Sequence, residues 1–278
     1  MAADGRGRAA RTGEPLGLMG VFAHPDDETL GVGGVFARYA AEGVRTSLVT
    51  ATRGDRGRFR GIRHGEGPEH PGPEALASIR EQELRAASRV LGIEDVTLLD
   101  YGDGRLDEAD PREAVARIAA EIRRVRPHVV LTFAPDGAYG HPDHIAICQL
   151  ATASVVAAAS GDAPHTVSKL YYMATTQARW DAYQAAFKKL VSLVDGVERQ
   201  AQPWPEWMVT TTVDTREQWP TVWRAVVCHD SQVGGYEKLR HLAPEHHEAL
   251  WGRQQFYRVL SVVNGGRGME TDLFEGLR

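Results

Sequence analysis

Apolar and polar positions alternate in blocks along the first 175 residues. "LGLMGVFA" (16–23), "VRTSLVTAT" (44–52), "DVTLLD" (95–100), "HVVLTFAP" (128–135) and "KLYYMAT" (169–175) are short apolar runs, and they predict buried strands. The segments between them repeat at helical spacing. "TLGVGGVFARYAAEG" (29–43) closes on Gly43, and "EALASIREQELRAASRVLG" (74–92) is strongly amphipathic. "PREAVARIAAEIRRVRP" (111–127) opens with proline and ends in arginines, and "DHIAICQLATASVVAAA" (143–159) is apolar on most faces. Strand–helix–strand alternation predicts a mostly parallel sheet covered on both sides, a Rossmann-like three-layer α/β/α fold with strand order 3-2-1-4-5.

The pattern loosens after residue 175. "MVTTTVDT" (208–215) and "QQFYRVLSVV" (254–263) read as two more strands, with helical pieces around them. No linker interrupts the chain. Residues 16–278 therefore read as one domain, a Rossmann-like core to about 175 and a C-terminal elaboration from about 176, behind a flexible arm over 1–15. The one long break is "RGDRGRFRGIRHGEGPEHPGP" (53–73), which has no period. It reads as a solvated loop. Its five arginines leave a second reading, a lid that recognises an anionic part of a substrate.

Charge and composition narrow the function. A net charge of −5 over 278 residues gives no electrostatic case for nucleic acid or an anionic membrane surface. No apolar run reaches the roughly 18 residues of a membrane span, and the N-terminus lacks the apolar core of a secretory signal. Cys148 and Cys228 stand in no metal or disulfide spacing, so a reducing, cytoplasmic setting is expected, with Cys148 a small buried hydrophobe.

The chemistry is concentrated in two clusters, "VFAHPDDETL" (21–30) after the first strand and "AYGHPDHIAI" (138–147) after the fourth. In a Rossmann-like sheet these strands are neighbours, and ligands bind in the crevice beyond their carboxyl ends. Acids at a helix N-terminus are ordinary capping, which accounts for one or two of Asp26, Asp27 and Glu28. It does not account for His24, His141 and His144. A dinucleotide would want GxGxxG at this turn, whereas "GVGGVF" (31–36) puts Phe36 at the last glycine position and lies inside a helix. Two imidazoles and a carboxylate with an open fourth position make a catalytic zinc set. His24 and His144 supply the nitrogens, one of Asp26 and Asp27 supplies the oxygen, and the other is left as a general base. His-x-Asp with a distant His is also a non-haem iron pattern, so Fe²⁺ or another divalent ion stays open. That triad belongs to all-β jelly rolls, whereas here the motif lies between a strand and a helix.

With "AHPDDE" (23–28) and "HPDH" (141–144) the chain resembles the LmbE-like or PIG-L-like zinc-dependent N-deacetylases. "LVTATRGDRG", "IREQELRAASRVLGI", "LLDYGDG" and "HDSQ" (229–232) agree, and the resemblance covers most of 16–235. It implies a hydrolase that uses metal-activated water to remove an N-acetyl or N-acyl group from an amino-sugar small molecule or glycoconjugate. By motif position His24, Asp27 and His144 would bind one Zn²⁺, and Asp26 would be the base. His141 would stabilise the oxyanion or protonate the leaving amine, and Asp143 would hold His141 charged. Tyr139 would polarise the acetyl carbonyl, and Arg80 and Asp103 would contact the sugar. Gly54–Asp55 departs from the Gly-Glu of many members, which leaves any role of Asp55 open. Two other readings compete, an amidase on thiol-sugar conjugates and a non-catalytic sugar-binding protein with a relic metal site.

Three further aromatic and histidine features remain. Trp204 and Trp207 in "PWPEW" (203–207) could stack on a sugar or pack the C-terminal elaboration. His241, His246 and His247 read as solvent-facing on a helix. His229 is a candidate support near the site.

Overall fold

Gly17–Phe22 (β1) is buried at every position, as a strand with neighbours on both edges and helices on both faces must be. It pairs in parallel with Arg45–Thr52 (β2), from Gly17 opposite Arg45 to Phe22 opposite Thr50. A side chain at Gly20 would place its Cβ 2.7 Å from Phe22 Cε2 and 2.9 Å from Phe36 Cζ. Gly20→Ala is therefore expected to lower stability by about 1–3 kcal/mol through overpacking, read by denaturant unfolding.

The computed structural model describes residues 15–186, 191–194, 196–200, 202–233, 241–263 and 268–278. The arm expected over 1–15 lies almost wholly outside them. After β1 come Asp27–Ala41 (α1), β2, Pro73–Leu91 (α2), Asp95–Tyr101 (β3), Pro111–Val125 (α3), Val129–Thr132 (β4), the four-residue turn Gly137–Gly140 (α4), Pro142–Ala158 (α5) and Lys169–Met173 (β5). Strand and helix limits match the apolar blocks to within a few residues. α3 shows the local logic: the Asp110 carboxylate accepts from Arg112 N at 2.8 Å, proline follows at the first helical position, and Arg126 closes the helix with φ 57°.

Seven strands form one sheet in the order β3-β2-β1-β4-β5-β9-β8. The first five are parallel in the expected 3-2-1-4-5 order, and the layers are Rossmann-like. The elaboration adds Gln177–Ala186 (α6), the hairpin Val191–Val194 (β6) and Val197–Gln200 (β7), Thr211–Asp214 (β8), Trp219–Val226 (α7), Asp230–Val233 (α8), Pro244–Trp251 (α9) and Arg253–Ser261 (β9). β9 runs antiparallel to β5, and β8 antiparallel to β9. The expected strands over 208–215 and 254–263 are these two, trimmed at their ends. The β6–β7 hairpin was not expected. The C-terminal stretch returns to the edge strand, where Glu270 N donates to Thr210 O at 2.8 Å and Thr212 N to Glu270 O at 3.0 Å. Covering β8 in this way removes an open sheet edge. Leu273 and Phe274 then enter the same hydrophobic core as Leu18 and Phe22.

A cluster of charge is sealed beneath that return. Lys169, fully buried, donates to Glu270 Oε1 at 2.8 Å, and Arg258 Nη1 lies 2.5 Å from the same oxygen. Tyr171 and Thr211 donate their hydroxyls to Glu270 Oε2 at 2.7 and 2.8 Å.

Candidate metal centre

The carboxyl ends of β1 and β4 bring the two histidine clusters together. His24 leaves β1 and His144 opens α5, both buried. His24 Nδ1 and His144 Nε2 face each other at 3.1 Å. The Asp27 carboxylate lies 3.6 Å from the first and 3.5 Å from the second. A tetrahedral ion with bonds of about 2.0–2.2 Å spaces its ligand atoms about 3.3–3.6 Å apart. The two separations to Asp27 match such a polyhedron, and the two nitrogens stand slightly closer than its corners.

The far side of each ring fixes which nitrogen points inward. His24 Nε2 donates to Asp143 Oδ2 at 3.0 Å and lies 3.2 Å from Asp103 Oδ1. His144 Nδ1 donates to the Gly137 carbonyl at 3.2 Å. Each ring thus turns its other nitrogen toward Asp27, the arrangement that orients metal-binding imidazoles. Phe133 stacks flat on His144, with ring centroids 3.9 Å apart and planes at 7°. Burial pushes His144 down to about 3, so that ring is neutral near pH 7. Burial alone would also lower His24, but Asp103, Asp143 and Asp27 outweigh it and raise it well above the ordinary imidazole value. The negative charge gathered there is what a divalent cation would balance. The donor set fits a metal ion.

Asp26 is held apart from this set. Its backbone takes φ 113°, a left-handed value costly for a residue with a side chain. Two neighbours impose it. Glu28 Oε2 accepts from Asp26 N at 3.0 Å. Arg80 Nη2 donates to the Pro25 carbonyl and stands 3.2 Å from Asp26 Oδ2. Burial pushes Asp26 up to about 6 against the pull of Arg80, with Asp27 adding to the rise. Burial works the same way on Asp27, but there His144 and His24 win and hold it below the usual carboxylate range.

His141 and Tyr139, both half-buried, stand together beside His24 and His144, with the His141 ring centroid 5.9 Å from that of Tyr139, 4.8 Å from that of His24 and 4.7 Å from that of His144. Ring nitrogens of His24, His141 and His144 lie within 4.8 Å of one another. The segment under Tyr139 is strained, with Ala138 at φ 64° and ψ −62°, and Asp136 Oδ1 accepts from Ala138 N at 3.2 Å.

Three residues sit differently from their sequence reading. The carboxylate of Asp143 accepts from His24, from Gly104 N at 2.7 Å and from Leu106 N at 3.0 Å. It meets His141 only through its own N–H, which donates to His141 Nδ1 at 3.2 Å. Burial and His24 lower the pKa of His141, outweighing the charge of Asp143, which favours the protonated ring as expected. Arg80 is almost fully buried and turned to Asp26, Pro25 and Gly54, neither a surface charge nor a lining residue of the cavity. Asp103 is equally enclosed, between His24 and the Arg56 N–H at 2.7 Å. These two buried charges brace the site's own skeleton.

Glu28 and His229 complete that skeleton. Glu28, fully buried, accepts from His229 Nε2 at 3.0 Å and from the Thr29 hydroxyl at 2.5 Å. The acid adjoining Asp27 reads as a helix cap in the sequence, and only a histidine 201 positions away reveals its use. His229 opens "HDSQ", and each residue of that motif is engaged. Asp230 pairs with Arg60, Ser231 Oγ donates to Glu83 at 2.6 Å, and Gln232 Nε2 donates to Arg58 O at 2.9 Å. The 53–73 stretch is thereby pinned over α2. Arg53 pairs with Glu81 and Asp100, so with Arg60 on Asp230 two of the loop's five arginines are already charge-paired within the protein. Asp55 lies at the surface beside Arg53 and Asp100.

The remaining aromatic readings divide. Trp204 packs on Tyr257 and donates Nε1 to Asp136 at 3.3 Å, whereas Trp207 is 83% exposed. His241 and His246 face solvent, but His247 is buried among Trp219, Trp223 and Trp251, stacking on Trp219 at 5.3 Å. Its helix turns one edge to α7, which three histidines in seven residues did not reveal. Cys148 is buried, as its apolar helix predicts. No helix among the described residues is long and apolar enough to cross a membrane.

A cavity of about 140 Å³ opens beside these groups. Asp26, Asp27, His144 and Tyr139 form one end, and Phe133, Met173, Trp180 and Tyr183 form the apolar walls.

Residues 19–156 match the family model described as PIG-L, GlcNAc-PI de-N-acetylase. A 1D-myo-inositol 2-acetamido-2-deoxy-alpha-D-glucopyranoside deacetylase of Kineococcus radiotolerans is 33% identical, over 96% of this chain and 84% of the relative. The enzyme of that name from Rhodococcus opacus is 36% identical, over 94% and 98%. Among solved structures, the conserved protein TT1542 from Thermus thermophilus superposes with a TM-score of 0.63 at 28% identity, covering 90% of this chain and 97% of its own.

Proposed function

The chain belongs to the GlcNAc-PI de-N-acetylase (PIG-L) family of amide-hydrolysing enzymes, and from that membership we propose that it removes the acetyl group from a 2-acetamido-2-deoxyglucose unit, with the inositol glycoside named for its relatives as the first candidate substrate. The observation that carries the reading is the convergence of His24 Nδ1, His144 Nε2 and Asp27 within 3.1–3.6 Å, beside a carboxylate that none of them uses.

His24, Asp27 and His144 would hold one zinc ion. Zinc there supplies a Lewis acid for the amide carbonyl and makes water acidic enough to lose a proton near neutral pH. Asp26 takes that proton. Its raised pKa suits it to accept near neutrality and release again. Arg80 and Glu28 keep its carboxylate turned to the cavity. His141 accepts from Asp143 N on Nδ1, which leaves its proton on Nε2. That N–H points the neutral ring toward the developing oxyanion as a donor. Tyr139 lines the cavity beside His141 and polarises the carbonyl. Asp103 and Asp143 keep the inward lone pair on His24.

The test is direct. Chelated protein is expected to release no amine from the acetamido-glucosyl inositol or from N-acetylglucosamine, and one equivalent of Zn²⁺ per chain is expected to restore release. Amine detection and metal analysis read both. Turnover undiminished after complete metal removal would reject the proposal.

A further inference from the structure

Arg179 is a buried cation with no anion beside it. It stands in the first turn of α6, 5% exposed, and lines the cavity that holds Asp26, Asp27 and His144. Its Nη2 donates to the Gly31 carbonyl at 2.7 Å, and its guanidinium lies 5.7 Å from the Tyr183 ring centroid. Its Nε is buried without a hydrogen-bond partner, and among the described residues no carboxylate pairs with it. The other buried cations are treated differently. Arg80 has Asp26, and Lys169 and Arg258 share Glu270. Enclosing a charge without a counter-charge is costly. One carbonyl and a ring face offset only part of the cost.

The surroundings say what would offset the rest. Phe133, Met173 and Trp180 make the walls apolar, and Thr175 adds a hydroxyl. A charge contact inside such walls is strong because water does not screen it. A guanidinium fork matches the two oxygens of a carboxylate or phosphate, and Arg179 has unused donors for them. We propose that Arg179 is an anion subsite, so that the preferred substrate carries a carboxylate or phosphate within reach of the scissile amide. The inference rests on the amide-hydrolase reading above and narrows its substrate class, placing an anionic amino sugar ahead of the neutral inositol glycoside. The anion enters on the acyl side, as in an N-succinyl group, or on the sugar side, as in a sugar phosphate.

The zinc-loaded enzyme is assayed with N-acetylglucosamine, its 1-phosphate, its 6-phosphate and N-succinylglucosamine. At least one anionic compound is expected to exceed the neutral sugar in kcat/KM by about tenfold or more, the worth of one charge-assisted contact. The identity of that compound tells which side carries the anion. Arg179→Gln is expected to bring the ratio to about one, and Arg179→Lys to keep part of it. A wild-type ratio at or below one for all three anions overturns the subsite, as does a ratio that survives in Arg179→Gln. Calorimetric titration keeps the two readings separable. Glucosamine 1-phosphate, glucosamine 6-phosphate and succinate are each titrated against glucosamine, in wild type and in Arg179→Lys. Failure to cleave any amide counts against the hydrolase, while preferential binding of an anion, weakened in Arg179→Lys, still upholds the subsite and its absence still overturns it. Should the glutamine variant not fold, the lysine variant decides by the same ratio.

Discussion

Asp26→Asn is expected to lower kcat by about 10²–10⁴-fold, the usual worth of a general base, while the protein keeps its metal. The carboxylate of Asp26 is turned to Arg80, 3.2 Å away, and not to the imidazole nitrogens that face each other across the strand ends. Asparagine preserves its volume and can still accept from Arg80, so the strained φ of 113° remains supported. What is lost is the ability to take a proton. Asp27→Asn is the complementary case. It removes the charge that sits 3.5 Å from His144 Nε2 and 3.6 Å from His24 Nδ1, and both metal and turnover are expected to fall. Metal content per chain and single-turnover amine release distinguish the pair. If Asp26→Asn loses the ion and Asp27→Asn retains it, the two roles are reversed.

Glu270→Ala is expected to destabilise the fold by about 3–5 kcal/mol, because it strands two buried cations instead of removing a pair. Lys169 and Arg258 both lean on one oxygen of Glu270, while Tyr171 and Thr211 lean on the other. Burial opposes ionisation of Glu270, but Lys169 with the two hydroxyls outweighs it and holds the carboxyl below its ordinary range. A carboxylate depressed in the folded state contributes stability above its unfolded pKa and loses it as pH falls through the folded value. The gap between wild type and Glu270→Ala is therefore expected to be full near neutrality and to narrow in acid below the ordinary carboxylate range. Denaturant melts across that range measure it. A constant gap would mean that the ion cluster is energetically idle.

The parallel core was legible because strands buried on both faces must be largely apolar, as the central β1 and β4 are, whereas the edge strand β3 is half-exposed and was still marked by its short apolar run. Their order placed His24 beside His144 before any side chain was seen. The second half was harder for a physical reason. β8 is four residues long, α7 and α9 eight each, and such pieces are too short to display a period. The β6–β7 hairpin did leave a trace, the Asp-Gly pair at 195–196 between alternating residues, with Gly196 at φ 76°. Arg80 and Asp103 were visible as residue types but not as buried ones. What encloses them comes from residues far along the chain, Pro25 and Gly54 for Arg80 and His24 and Arg56 for Asp103. Arg179, in "TTQARW", carries no motif, and only its lack of a counter-charge marks it.

The segment matching the family model ends at 156, yet Met173, Thr175, Arg179, Trp180 and Tyr183 of the cavity lie after it. Apart from Phe133 and its neighbours, much of the cavity's shape is thus encoded downstream of the groups proposed to break the bond. Mutation can remodel that shape without disturbing those groups, so relatives sharing every reactive side chain are free to drift toward different molecules. Exchanging 173–183 between two such relatives would graft one enzyme's appetite onto the other's unaltered engine.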